Sequence, residues 1–226
     1  MRYKDMYKYE THLHTSEASK CARISGSEQA IQYKKAGYDG IIITDHFFGG
    51  NTCIDTSLSW EDRINLFCKG YEEAKKTGDK IGLQVFFGLE QTFEYTDFLI
   101  YGLDKEWLLM HPEIEKCTIA QQYKLVKEFG GMVIHAHPFR DRPYIDQIRL
   151  YPNLVDGVEV INYGNYEDEN MNAYKYAKEY NLPMTCGSDG HGHQVLGGGI
   201  RTNIKLNSIE DYIDLILSGK DYKMMG

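Results

Sequence analysis

The sequence predicts an α/β protein whose parallel strands close into a barrel, with the residues that carry chemistry gathered at one end. Three observations lead there. Short apolar runs alternate with amphipathic segments along the whole chain, the pattern of strand–helix units and a parallel sheet. Five clusters of His, Asp and Glu each follow directly on such a run, which puts them at the carboxyl ends of strands, where α/β proteins build their sites. Those strands are spread through the chain. An open doubly wound sheet fits the alternation too, but it leaves the outer clusters far apart, whereas closure brings them together.

Tyr9 to His14 reads as the first strand. Ser25 and Glu28 have capping-box spacing, so a helix follows to about Ala36, and Gly37 is its stop. Gly40 to Thr44 is a β-branched run, as expected of a strand covered on both faces. Residues 47–58 form a polar, glycine-containing loop, after which Ser59 opens a second helix that ends near Gly78. Gln84 to Leu89 and Phe98 to Leu103 are the next strands, with 104–115 left as a loop. Thr118 and Gln121 repeat the capping-box spacing before a helix to Phe129. Strands follow at Met132 to Ala136, Val158 to Ile161, Leu182 to Cys186 and Ile200 to Ile204, with helices from Glu167 to Tyr180 and from Ser208 to Leu217.

The 226 residues suit one domain, 1–226, and no linker interrupts them. With 42% apolar and 26% charged residues, the chain has the means to bury a core. No run approaches the roughly 18 apolar residues of a membrane helix, and Met1 to Asp5 lack the apolar stretch of a signal peptide, so a cytoplasmic protein is expected. Five cysteines without a CxxC pair argue against a disulfide framework or a zinc ribbon. A formal net charge of −8 opposes general affinity for nucleic acid, which rests on Lys and Arg meeting phosphates.

The clusters are His12-Leu13-His14, Thr44-Asp45-His46, Glu90, His135-Ala136-His137-Pro138 and Ser188-Asp189-Gly190-His191. Residues two apart in a strand share a face, so His12 and His14 can meet one ion. Imidazoles mixed with carboxylates suit zinc, manganese or iron better than magnesium or calcium. The donors exceed what one tetrahedral ion needs, which implies two or three divalent transition-metal ions. Paired ions suit phosphate-ester hydrolysis, in which one activates a water and together they stabilise charge on the attacking and leaving oxygens. Nucleophilic serine chemistry lacks its GxSxG elbow here.

The ordered set, from His12-Leu13-His14-Thr15 to Ser188-Asp189-Gly190-His191, resembles the PHP superfamily (polymerase and histidinol phosphatase domains), and the resemblance covers essentially the whole chain. It implies a distorted, TIM-like (β/α)7 barrel with a trinuclear site at the C-terminal ends of the strands. By that resemblance His12, His14, Glu90 and Asp189 look like ligands of one ion. Glu90 bridges to a second ion held by His137, and His46 and His191 look like ligands of a third. Two positions depart from the family's pattern. Asp97 stands where a His often opens the strand after the bridging Glu, and is carried over as a ligand. After the first HxH, where a His or Asp is usual, the chain has Ser16 to Cys21, so Cys21 as a thiolate or Glu17 as a carboxylate completes the third set.

Arg140 and Arg201 are candidates to hold phosphoryl oxygens, because guanidinium matches phosphate bidentately. His135, close to His137, is a candidate supporting group or ligand, and protonation of the leaving group falls to His135, His191 or a water on the ions. The resemblance implies a phosphoesterase acting on a small phosphate monoester, with a histidinol-phosphatase-like protein as its type. A nuclease and a metal-binding module without turnover are the competing readings.

Overall fold

The computed structural model describes residues 6–226, so Met1 to Asp5, the stretch read for a leader, lies outside the described residues. Seven strands build the barrel wall: β1 (Tyr7–Glu10), β2 (Gly40–Ile43), β3 (Gln84–Phe93), β4 (Thr96–Tyr101), β5 (Met132–His135), β6 (Gly157–Asn162) and β7 (Met184–Gly187). Two more, β8 (Ile200–Thr202) and β9 (Tyr222–Met224), extend the sheet beyond β1, giving the order β7-β6-β5-β4-β3-β2-β1-β8-β9. The ends of this sheet curl towards each other. Leu13, just past β1, bridges in parallel to Gly190, just past β7, and the Tyr222 hydroxyl donates to the Met184 carbonyl at 2.7 Å. The result is a nearly closed, distorted barrel.

The sheet is mixed, which corrects the all-parallel expectation. β4 runs antiparallel to both β3 and β5, β8 runs antiparallel to β1, and β9 runs antiparallel to β8. The cause is the connection between β3 and β4. Phe93 pairs with Thr96, leaving only Glu94 and Tyr95 between the strands. A two-residue link can only make a hairpin, because a parallel crossover needs a dozen residues or more. Reading the strands as ending at Leu89 and starting at Phe98 hid how short that link is.

Helices α1 (Gly26–Lys35), α2 (Trp60–Phe67), α3 (Lys69–Ile81), α4 (Lys105–Met110), α5 (Ile119–Glu128), α6 (Glu167–Glu179) and α7 (Ile209–Ser218) complete the chain. The capping boxes at Ser25/Glu28 and Thr118/Gln121 are both formed. The single helix expected from Ser59 to Gly78 is two helices that break at Cys68, and the second runs on to Ile81, stopped by Gly82 at φ 71°. The expected loop at 104–115 contains α4, capped by the Asp104 side chain on Trp107 N–H, and a 3-10 turn at Pro112–Lys116. Six residues are too few to show a helical period.

Alternation along β2 shows how the layers form. Ile41 and Ile43 pack outward with Ala30 and Tyr33 of α1 and Ala74 of α3. Ile42 faces the other way, with Tyr9, Phe86, Leu99, Tyr101 and Ile134, against Tyr212, Ile213 and Ile216 of α7. The core therefore fills the barrel from the end opposite the ligand clusters, and no helix of the described residues is long and apolar enough to cross a membrane.

The contact between α1 and α3 relies on two glycines. A Cβ on Gly26 would sit 2.0 Å from the Gly70 carbonyl oxygen, and one on Gly70 would sit 1.9 Å from Thr15 Oγ1. Gly26→Ala is therefore expected to destabilise the protein by about 1–3 kcal/mol in urea denaturation, because backbone must move to admit the methyl. An unchanged midpoint would contradict this packing.

Candidate metal centre

The rim at the carboxyl ends of β1, β2, β3, β5 and β7 carries the expected donors. His12 and His14 lie just beyond β1, His46 beyond β2, His137 beyond β5, and Asp189 and His191 beyond β7, while Glu90 sits within the long β3. The reversal of β4 brings Asp97, near its start, to the same rim. His137 (φ 29°) and Asp189 (φ 53°) have left-handed backbone, which costs of order 1–3 kcal/mol each and is typical where a site dictates the geometry.

Side chains from five strands meet. His12 Nε2 is 3.1 Å from His14 Nε2, 3.4 Å from Glu90 Oε1 and 3.5 Å from Asp189 Oδ1. His14 Nε2 is 3.5 Å from Glu90 Oε2 and 3.1 Å from Asp189 Oδ1. Four ligands at about 2.0–2.1 Å from a tetrahedral ion stand about 3.3 Å apart, so these separations fit one shared cation. His137 Nε2 lies 3.1 Å from Glu90 Oε1 and 3.8 Å from Asp97 Oδ2, a second set that shares Glu90. His14, His46 and His191 form a third group, with the His14 ring stacked on His191 at 4.2 Å and tilted against His46 at 4.3 Å.

The hydrogen-bond inventory also calls for a cation. Glu90 Oε2, Asp189 Oδ1, His46 Nδ1 and His191 Nε2 are buried without a hydrogen-bond partner. His46 Nδ1 and Glu90 Oε2 are only 2.7 Å apart, yet the pair lacks hydrogen-bond geometry. Buried polar atoms left bare are costly, and a divalent ion between them removes that cost. The donors thus fit the ions the composition of the site asks for.

Charge within the ring is polarised accordingly. Burial works against the charged form of His12, but Glu159, Asp189 and Glu90 outweigh it and hold its pKa well above the ordinary value. For His46, burial is likewise outweighed, chiefly by Glu90, and its pKa is raised. His14 goes the other way, depressed by burial and by the neighbouring His191 and His46. Burial disfavours the Glu90 and Asp189 carboxylates, yet His46 and His12 hold Glu90 well below the usual range, and His12 and Arg140 do so for Asp189. Asp97 is pushed up, by burial first and then by Glu90.

Around the donors, further groups fix their directions. Glu159 Oε1 takes His12 Nδ1 at 2.9 Å, so that Nε2 faces the cluster, and its Oε2 accepts from His137 N–H at 3.2 Å. Ser19 Oγ meets His14 Nδ1 at 3.1 Å and donates to Asp45 at 2.6 Å. Such partners orient ligands and raise their basicity. Glu159 escaped the sequence reading. Its available signal was a lone carboxylate inside the apolar run Gly157 to Ile161, where the strand is buried on both faces.

Other expected residues divide. Cys21 shares a cleft with His46 and His191. Burial alone would raise its thiol, but the two imidazoles pull it down to about 6, which favours the thiolate that a third ion needs. Glu17 instead accepts from Gly26 N–H at 3.1 Å, at the start of α1, which corrects its reading as a ligand. Arg140 reaches the ring, with Nη2 2.7 Å from Asp189 Oδ2 and 2.8 Å from Asn162 Oδ1. Arg201 does not. It lies in β8 opposite Lys8, and its Nε donates to Met225 Sδ. Its spacing after the glycine run gave no information on which way the chain turns. His135 is also corrected. It is fully buried, stacked on Phe98 at 5.1 Å, and burial depresses it to about 3, so it holds no proton to give at neutral pH.

Above the donors opens a cleft of about 620 Å³, lined by Cys21, His46, Asp97, Arg140, Asp189 and His191 among others. A cavity of about 710 Å³ at the other end of the barrel, between Tyr7, Gln84 and Ile209, touches none of them, so size alone does not locate the chemistry.

Fold and site together define an α/β barrel with a cluster of candidate metal ligands on its rim. A family described as PHP-associated matches residues 167–220. Three solved structures share the fold. A two-domain protein from Bacteroides vulgatus containing a predicted PHP-like metal-dependent phosphoesterase aligns at TM-score 0.70 and 16% identity over 97% of this chain. This chain spans 64% of that one. A proposed metal-dependent phosphoesterase from Bifidobacterium adolescentis aligns at 0.60 and 16% identity, over 94% of this chain and 96% of that one. An amidohydrolase from Chromobacterium violaceum, with bound sulfate, aligns at 0.57 and 14%, over 82% and 88%. No curated protein sequence matches. The family match thus covers the C-terminal part of the chain, and the likeness in fold to these structures runs through nearly all of it.

Two outcomes follow. Glu159→Gln is expected to weaken metal binding by roughly 10–100-fold, measured with a competing chelator, while the fold is kept. Because His12 and His46 hold protons above the ordinary range and ligands must be deprotonated, zinc or manganese uptake at pH 7 is expected to release protons and to tighten as pH rises. Calorimetry in two buffers of different ionisation enthalpy reads this directly, and equal heats in both would contradict it.

Proposed function

We propose that the chain is a metal-dependent phosphoesterase that hydrolyses a small phosphate monoester of the histidinol-phosphate type. The observation that carries this reading is the ring itself: buried donors shared between adjacent cation sets, with one arginine at its edge, under a cleft sized for a small molecule. The names of the Bacteroides and Bifidobacterium structures support the same class.

His12, His14, Glu90 and Asp189 would hold one ion, and Glu90, Asp97 and His137 a second. His46, His191 and Cys21 would take a third. Zinc, manganese or iron bound there lowers the pKa of water and offsets charge on phosphoryl oxygens. The chain's own groups do the rest. Arg140 is held through Nε by Asn165 and through Nη2 by Asn162 and Asp189, which leaves Nη1 to meet a phosphoryl oxygen. His191 lines the cleft, and although burial disfavours its charge, Cys21 and Asp189 keep its pKa raised. Where the third set is empty, His191 would give that proton to the leaving alkoxide. Water's oxygen ends on inorganic phosphate, and the alcohol leaves protonated.

Phosphate release from a panel of small monoesters, with manganese or zinc added, tests this. Asp189→Asn is expected to lower kcat/KM by roughly 10–100-fold through loss of metal affinity. Arg140→Ala is expected to raise KM about tenfold or more, as a charged hydrogen bond to phosphate is lost. Turnover that persists in a chelator, or cleavage confined to nucleic acid, would overturn the proposal.

A further inference from the structure

The outer part of the cleft carries two tyrosines that the metal chemistry does not use. Tyr95 and Tyr144 both line it, together with Asp97, Arg140 and Asp189. The two residues are 56% and 63% exposed, although folding tends to cover much of a tyrosine. Both rings therefore share one cleft with Arg140, the group proposed to meet the phosphoryl oxygen.

The position of Tyr95 runs against local preference. Glu94 (φ 47°) and Tyr95 (φ 63°) form the two-residue turn between β3 and β4. Positive φ at both positions calls for Asn-Gly or Gly-Gly. A tyrosine kept in left-handed backbone at an exposed tip is a strained choice that folding does not reward, and such outliers cluster at ligand sites. The turn is also tied down. Arg149 Nη1 donates to the Glu94 carbonyl at 3.0 Å and its Nε lies 3.3 Å from Glu94 Oε2, while Nη1 and Nη2 hold Asp146 at 2.8 and 3.0 Å. Asp146 is two residues after Tyr144. One arginine therefore links the tip carrying Tyr95 to the loop carrying Tyr144, and fixes the two walls relative to each other.

We propose that Tyr95 and Tyr144 form the leaving-group subsite, selecting monoesters whose alcohol carries a flat aromatic or heteroaromatic ring. This rests on the phosphoesterase reading. Rings stack on or edge against tyrosine favourably, and two rigid aromatic walls do so at little entropic cost.

The test compares 2-phenylethyl phosphate with n-butyl phosphate, two primary alkyl esters with leaving groups of similar basicity, on the metal-loaded protein. The wild type is expected to favour the phenylethyl ester in kcat/KM about tenfold. Tyr95→Ala and Tyr144→Ala are each expected to lower kcat/KM for that ester about three- to tenfold, leaving the butyl ester within about twofold, while Tyr→Phe at either position keeps the preference. Affinity for the inert 2-phenylethylphosphonate, by calorimetry, should fall in parallel. Tyr95→Gly separates the ring from the fold: relief of positive φ raises Tm while the preference is lost. Equal losses for both esters, or no loss for either, would overturn the subsite and leave the phosphoesterase reading standing. Hydrolysis of neither ester by the wild type, with phosphonate still bound in a Tyr95-dependent way, would sink the phosphoesterase reading and keep the ring site.

Discussion

Glu90 and Asp189 are buried carboxylates, and such groups persist only where positive charge stands within a few ångströms. The rest of the rim follows from that constraint. His12 and His46 supply part of the compensation, and Arg140 supplies more from one edge. It is incomplete, since Oε2 of Glu90 and Oδ1 of Asp189 remain without hydrogen bonds. Side chains that repel or strand one another when bare would become mutually supportive around divalent ions, and the 3.1–3.5 Å spacing of the donors fits such ions.

The backbone is shaped to the same end. Strand ends from β1, β2, β5 and β7 deliver five of the imidazoles and Asp189 to one rim. β4 would deliver nothing there if it ran parallel to its neighbours, because Asp97 lies near its first residue. The two-residue hairpin turns it round, and Asp97 joins His137. The core, held by Ile42, Phe86, Leu99 and Tyr101 against α7, fills the opposite end and leaves the rim free of packing duty. Buried Glu10 joins the two halves of the ring, since its Oε1 accepts from the N–H groups of Thr11, His12 and Ser188 at 2.9–3.1 Å. The loops bearing His12 and Asp189 are thereby held to one another.

Much of this was legible in the residues. Apolar runs ending in His, Asp or Glu announced both the strands and the rim, and the capping boxes at Ser25 and Thr118 located two helix starts. What stayed hidden depends on contacts between distant parts of the chain. The reversal of β4 turned on where β3 and β4 end, and strand ends are set by pairing partners, not by local pattern. Glu159 was hidden because one carboxylate in a strand says nothing about which ring nitrogen it meets. His135 looked equivalent to His137 from its spacing, but β5 ends between them. His135 packs under Phe98, and His137 turns into the ring with left-handed backbone.

Anomalous diffraction from crystals grown with manganese or zinc tests the central claim most directly. The account predicts a peak about 2.0–2.3 Å from His12 Nε2, His14 Nε2, a Glu90 oxygen and Asp189 Oδ1, with a second beside Glu90 and His137. Scattering confined to surface carboxylates, with those four side chains hydrogen-bonded only among themselves, would contradict it.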